Sequence, residues 1–287
     1  MERQVLVMRE VNVEEITKAL RTMAIEANTV LGADVLEAFA KCALAETSDT
    51  GRDVLAQLTE NAAIAKSEKM PLCQDTGFAV VFIELGQEVR LVGGELADAV
   101  NEGVRQGYAE GFLRKSIVAD PLRRVNTGDN TPAIIHTTIV PGDRLKVTLA
   151  PKGGGSENMS GIAMLKPADG IEGVKAFVID RVSQAGPNPC PPTIVGVGIG
   201  GTFEIAAYLA KKSLLRPVGD RHSDPFYAQL ENDLLAEVNK LGIGPMGLGG
   251  LTTSLDVHVE VHPCHIASLP VAVNIQCHSS RHLEVEL

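Results

Sequence analysis

The chain has 287 residues, 45% of them hydrophobic and 22% charged, enough to bury a large core as one big α/β domain or two smaller ones. Its formal net charge of -10 repels a phosphate backbone, and 3% aromatic residues with no tryptophan leave few platforms for stacking bases, so nucleic acid is not an expected partner. No stretch approaches 18 uninterrupted apolar residues, and the opening MERQVLVMREVNVEE is acidic where a signal peptide needs a basic start and an apolar core; a soluble cytosolic protein without a membrane partner is expected.

Residues 13–27, 33–47 and 51–66 each repeat apolar residues at helical spacing, with Ile16, Leu20 and Met23 in the first and Leu55, Leu58 and Ala62 in the third. Gly32 and the Ser48–Gly51 turn separate them, so the spacing predicts a helical layer over about residues 1–67. FAVVFIEL (78–85) reads as a strand and 94–110 as a helix. AIIHTTIV and RLKVTLA read as a hairpin across Pro141–Gly142–Asp143. Helix 171–185, strand 193–197 and helix 202–215 follow. A further helix has Asp224 as N-cap, Pro225 at its first position and a stop at Gly242. LDVHVEVH and HLEVEL alternate strictly, as half-buried strands do. Strands and helices mix throughout, which predicts the α/β class: a mixed sheet with packed helices, in a single domain spanning 1–287.

The five cysteines are odd in number and scattered, unlike a secreted disulfide scaffold. Cys42 shares helical spacing with Val35 and Phe39 and reads as a packed core thiol. Cys73 differs: in PLCQDTG its neighbours are a carboxamide, a carboxylate and a hydroxyl. Cys190 lies in GPNPCPPT, where prolines at 187, 189, 191 and 192 are expected to hold the backbone extended. Cys277 lies in NIQCHSSRH, after the apolar run 269–275. These three segments are too far apart for a local metal motif, and spacing alone leaves their convergence open.

Two local patterns imitate sites. GVGIGG (196–201) satisfies the dinucleotide fingerprint, but RPVGDRHSDP replaces the second strand that a βαβ unit needs, so close packing of a helix on a strand is the preferred reading. HPCH (262–265) with Cys277–His278 is dense in zinc-type donors, yet the adjacency of Cys264 and His265 fits zinc spacing poorly.

The segments PLCQDTG (71–77), NTGDNTPAIIH (126–136), PKGGGSENMS (151–160), PNPCPPTIVGVGIGGTFE (188–204), GIGPMGLGGLTTSLDVHVE and CHIASLPVAVNIQCHSSRH resemble the class I fumarate hydratase family, in its iron–sulfur-binding N-terminal part. In two-subunit members that part is the alpha subunit, and the alpha subunit of L-tartrate dehydratase shares the motifs. The resemblance implies that Cys73, Cys190 and Cys277 hold a [4Fe-4S] cluster with one iron left open. An open iron is a Lewis acid, suited to expelling or activating water in the interconversion of malate and fumarate, a tricarboxylic acid cycle reaction. It further implies that Arg114 holds a substrate carboxylate, that Gln74 contacts substrate, that Asp75 transfers a proton and that His265 belongs to the site. Gly155, within GGGSEN, would offer backbone N–H to a carboxylate, although a plain glycine turn reads equally well from the residues.

One-chain members of the family continue into a second domain, which the resemblance implies supplies the proton-abstracting base. This sequence ends ten residues after Cys277, so the expectation is an alpha subunit completed by a beta subunit. Two alternatives stand beside fumarate hydration: L-tartrate dehydration, and a non-catalytic subunit whose cysteines bind metal.

Overall fold

The computed structural model describes residues 8–287; the first seven residues of the acidic opening, read above as unlike a signal peptide, lie outside the described residues. In chain order the first elements are β1 (Arg9–Asn12), α1 (Val13–Thr29), α2 (Ala33–Ala45), α3 (Asp49–Glu68), β2 (Phe78–Gly86), β3 (Val89–Val92), α4 (Leu96–Glu110), β4 (Ile134–Val140) and β5 (Leu145–Lys152). They continue with α5 (Gly154–Glu157), β6 (Gly161–Leu165), α6 (Gly170–Ala185), β7 (Thr193–Gly200), α7 (Phe203–Ser213), α8 (Pro225–Asn239), β8 (Ser254–His262), β9 (Leu269–Gln276) and β10 (Leu283–Glu286). The class is α/β. The three opening helices lie where their periodicity puts them, preceded by strand β1.

The chain divides into two compact units: the segments up to Val30, Ala65–Lys152 and Arg281–Leu287 form one, and Leu31–Ile64 with Gly153–Ser280 form the other. In the first unit α1 starts where the Asn12 side chain accepts the Glu14 N–H at 2.9 Å, with Glu14 and Glu15 favoured by the helix dipole. Its buried face, Ile16, Leu20, Met23 and Ala24, joins Val100, Val104 and Tyr108 of α4 and the sheet residues Val81, Ile83, Val147 and Leu149 in one core. Two helices touch this closely because α4 presents glycine to α1. A Cβ at Gly103 would stand 2.7 Å from the Thr17 carbonyl oxygen, and one at Gly107 2.7 Å from that of Arg21.

The four-stranded sheet of this unit has the order β10-β5-β2-β4, and it corrects the predicted hairpin. β4 and β5 do not pair with each other: β2 lies between them, parallel to β4 and antiparallel to β5. The physical reason is burial. FAVVFIEL is apolar on both faces and buried along Ala79–Ile83, so it takes the central place, while β4, with Ile139 exposed, takes the edge. A short parallel pair, β1 with β3, completes the unit.

The second unit is built on the sheet β6-β9-β7-β8, with β7 parallel to β8 and antiparallel to β9. Along β7, Val195 and Val197 join Val174, Val178 and Val182 of α6 and Leu230 and Leu234 of α8 in a core on one face. The intervening glycines meet α7 on the other: a Cβ at Gly196 or Gly198 would stand 2.1 Å from the carbonyl oxygen of Ala210 or Ala206. The glycine-rich segment therefore serves helix-to-strand packing.

β8, predicted to be half-buried, is instead buried through Ser254–Val259. Its polar face is paired rather than solvated: Asp256 accepts from Arg221 Nη1 at 2.8 Å and Gly219 N at 2.6 Å, and His258 Nε2 lies 3.2 Å from it. The Val259 N–H of this edge strand is covered by the buried Glu231 at 2.8 Å, an arrangement that blocks pairing with another chain.

Candidate functional site

The Cys73 turn belongs to the first unit. Cys73 Sγ accepts the Asp75 N–H at 3.4 Å and lies 3.3 Å from Gln74 Oε1. Asp75 Oδ1 accepts the Gly77 N–H at 2.9 Å, which closes a local side-chain turn and fixes the carboxylate rotamer. Gly77 has φ +72, and a Cβ there would stand 2.6 Å from the Lys152 backbone, so the turn admits no other residue. Thr76 is buried, and its hydroxyl accepts from Arg114 N at 2.9 Å and donates to Arg114 O at 3.3 Å. Cys73, Gln74, Asp75 and Arg114 are thereby brought together. The exposed Arg114 guanidinium has no hydrogen-bond partner among the described residues.

Three side chains and one backbone carbonyl, at residues not singled out along the sequence, fasten this turn. The Tyr108 hydroxyl lies 2.8 Å from Thr76 O and 3.2 Å from Gly77 O, and burial pushes its pKa well up, so it stays a protonated donor. Asn130 donates to Gly77 O at 3.2 Å while accepting from Ser116 N at 2.7 Å. The Asn28 carbonyl accepts from Leu72 N at 2.8 Å. Arg281 donates to Asp75 O at 2.7 Å and to the Asn28 amide oxygen at 3.1 Å. Only Arg281 had a sequence signal, its place in CHSSRH just after Cys277.

Cys190 and Cys277 belong to the second unit, at one end of its sheet. The proline-rich segment does not run extended as predicted: Cys190 N donates to Pro187 O at 3.0 Å, closing a turn, and Cys190 has φ +56. The left-handed conformation costs a non-glycine residue about 1–2 kcal/mol, so something other than local preference keeps cysteine there. His278 grips the Cys190 carbonyl twice, through its backbone N–H at 3.2 Å and ring Nδ1 at 3.0 Å, which draws the Cys277 loop onto the Cys190 turn. Cys277 Sγ lies 3.2 Å from the Ser279 hydroxyl. Gly155 joins the group: Asn188 O is the nearest atom to its Cβ position, at 3.6 Å, and Ser156 Oγ lies 3.5 Å from Gln276.

The glycine loop before β8 braces the Cys190 turn. Met246 N donates to Pro191 O at 2.7 Å, and Gly247 packs on Pro187. Buried Glu46 pins the end of that loop, accepting from Leu251 N at 2.8 Å and from Thr47 N and Ser48 N at 2.9 and 3.0 Å. Burial works to raise its pKa, but these amides prevail and hold it below the usual carboxylate range.

His265 is not brought to Cys190 and Cys277. It sits in the β8–β9 connection, and the eight residues of β9 put about 24 Å between that end of the sheet and Cys277. There it lines an apolar cavity of about 390 Å³ with Ile266, Phe226 and Tyr227. Cys264 is exposed beside it, and Cys42 is half-buried, its pKa raised mainly by burial. All five cysteines are free thiols, and among the described residues no three His, Cys, Asp or Glu side chains surround a single-ion position.

Comparison with known proteins gives this arrangement a context. The profile of the fumarate hydratase (fumerase) family matches residues 17–286. The putative L(+)-tartrate dehydratase subunit alpha of Methanocaldococcus jannaschii is 45% identical over 262 residues, which cover 89% of this chain and 92% of that protein. The L(+)-tartrate dehydratase subunit alpha of Escherichia coli K12 is 34% identical over 273 residues, covering 94% and 89%. A match over nearly the whole chain shows that the protein is a hydro-lyase of the fumarate hydratase (fumerase) family.

Proposed function

We propose that the chain is the alpha subunit of a hydro-lyase that reversibly hydrates fumarate to L-malate, with Cys73, Cys190 and Cys277 holding a [4Fe-4S] cluster that has one iron free of thiolate. The observation that carries the reading is the Cys190 turn. A strained cysteine, clasped by the residue next to a second cysteine, fits a donor set built for metal rather than a pair of core thiols. The Asp75 N–H directed at Cys73 Sγ at 3.4 Å fixes the position of that sulfur. When bound, the cluster supplies Lewis acidity at the departing or entering oxygen of water.

The chain's own groups do the rest. Arg114 receives one substrate carboxylate, in a protein whose net charge of -10 otherwise repels it. Gln74 and the Gly155 N–H orient the substrate, and Asp75, its carboxylate held by Gly77, moves a proton. His265 enters this proposal only as a group offered to a neighbouring chain, because the length of β9 keeps it from Cys277 of its own. The base that removes the C3 proton is assigned to a beta subunit, in keeping with relatives named as alpha subunits. A cytosolic setting belongs to the same proposal, since cluster thiolates need a reducing compartment.

The names of the relatives favour a second substrate, L-tartrate, which loses water to give oxaloacetate. The test is to purify the chain anaerobically, measure iron, sulfide and visible absorbance, and assay fumarate and L-tartrate with and without the partner. A brown protein active on fumarate only with the partner supports the first reading. Activity confined to L-tartrate selects the second. A colourless zinc protein would mean a non-catalytic metal-binding subunit, and fumarate hydration by the chain alone would overturn the half-site.

A further inference from the structure

Arg281 stands at 3% exposure, yet both groups it bonds are neutral: the carbonyl of Asp75 and the side-chain amide of Asn28. Its Nε is buried without any partner. Burying a guanidinium costs several kcal/mol unless paired, and a neutral side chain could have filled the space. The same charge faces the Tyr108 hydroxyl, which also lies beneath the turn. A buried, unpaired cation is thus aimed at the backbone of the one residue to which proton transfer is assigned.

We infer that Arg281 is a positioning residue for the reaction: by holding the Asp75 carbonyl it sets the orientation of the Asp75 carboxylate and of the N–H given to Cys73. The geometry explains how. The Asp75 N–H is directed at Cys73 Sγ, its carboxylate accepts from Gly77 N, and Arg281 holds its carbonyl. A 2.7 Å charge-assisted bond on that carbonyl fixes the peptide plane between Asp75 and Thr76. Tyr108 and Asn130 hold the carbonyls that follow, at Thr76 and Gly77, but neither touches Asp75 itself.

The inference rests on the role proposed for Asp75, and the experiment separates the two. Arg281→Gln, Arg281→Lys and Asp75→Asn are compared in the assembled, cluster-loaded enzyme by iron per chain, visible spectrum, thermal midpoint, kcat and KM. Arg281→Gln should lower kcat about tenfold or more, with KM changed less than about threefold and iron retained. Arg281→Lys, which keeps the charge and a donor, should recover most of the loss. A lower thermal midpoint with wild-type kcat would make Arg281 merely structural and overturn the inference, as would Lys performing no better than Gln. If Arg281→Gln does not fold, Asn28→Ala decides, since it removes the side-chain amide that holds the guanidinium: a kcat lowered severalfold with iron retained supports positioning, and wild-type kcat refutes it. Asp75→Asn slow with Arg281→Gln at full rate sinks this inference alone. Asp75→Asn at full rate sinks both.

Discussion

In the first unit the Cys73 turn is fastened mostly by side chains, Tyr108 from α4, Asn130 from the loop before β4 and Arg281 from the C-terminal segment, with the Asn28 carbonyl of α1 holding Leu72 N. In the second unit Cys190 and Cys277 are fastened mostly by backbone: a proline-flanked turn, a carbonyl clasped by His278, and a glycine loop pressed on Pro187 and Pro191. Side-chain clamps can be removed one at a time, each at the cost of a hydrogen bond. Backbone packing has no slack, because an added atom must displace main chain. The first unit should therefore respond to substitution in steps and the second abruptly.

The sharpest test asks whether both kinds of scaffold serve one cluster. Replacing Cys73, Cys190 or Cys277 by Ser should each remove most of about four irons per chain, while Cys42→Ser and Cys264→Ser should keep them, read by iron analysis of anaerobic protein. Loss at Cys42 with retention at Cys190 would break the comparison at its root.

Next in size is a contrast within the proposed chemistry. Asp75→Asn should lower kcat by about 10²–10⁴ with the cluster intact, because it loses the proton-transfer group but keeps the shape. Gly155→Ala should have a far smaller effect, since its Cβ would meet nothing nearer than 3.6 Å. A large effect on kcat/KM at Gly155 would mean that the substrate occupies that space.

Stability comes third. Gly247→Ala places a Cβ 2.2 Å from that of Pro187 at φ +77, and overpacking of this kind costs about 1–3 kcal/mol before the left-handed penalty is added. Tyr108→Phe removes a hydroxyl from carbonyls of which Gly77 O keeps its bond to Asn130, so about 1 kcal/mol is expected. Urea unfolding should order them that way. The reverse order would mean that the side-chain clamp is the stiffer of the two.

The smallest effect concerns acid. At Asp129, in the first unit, burial opposes ionisation, but hydrogen bonds from Thr131 and Arg105 prevail and bring the pKa from 3.8 down to about 2. Glu46, in the second, is lowered by backbone amides. A lowered folded-state pKa contributes stability that is complete above the unfolded value and lost as pH falls through the folded one. Asp129→Asn should therefore be less stable than wild type near neutrality, with the gap closing between about pH 3.8 and 2. A gap that widens on acidification would show that Asp129 is not held as an anion.

Much of this organisation was legible along the chain. The helices at 13–29, 33–45 and 49–68 follow from apolar spacing, and α8 from Asp224, which accepts the Phe226 N–H, and Pro225. The glycines of β7 were readable as packing devices for the same local reason. The hairpin failed because PGD between two apolar runs states only that the chain reverses; it cannot state that a third strand will enter the gap. Cys190 was misread as extended because the proline preferences of its neighbours point one way and the clasp on its carbonyl another.

The sequence by itself determined the elements that depend on neighbours within a few residues, the chemistry carried by each thiol-bearing segment, and, through six motifs in order, the family. Tertiary structure alone decided which strand is central, that Arg281 lies buried against the Asp75 carbonyl, and that His265 stands a strand's length from Cys277. The reason is physical. Periodicity and capping are local free energies that a short window expresses completely, whereas strand order, burial of a charge and distance across a sheet are set by the whole core, whose partners are remote in the chain.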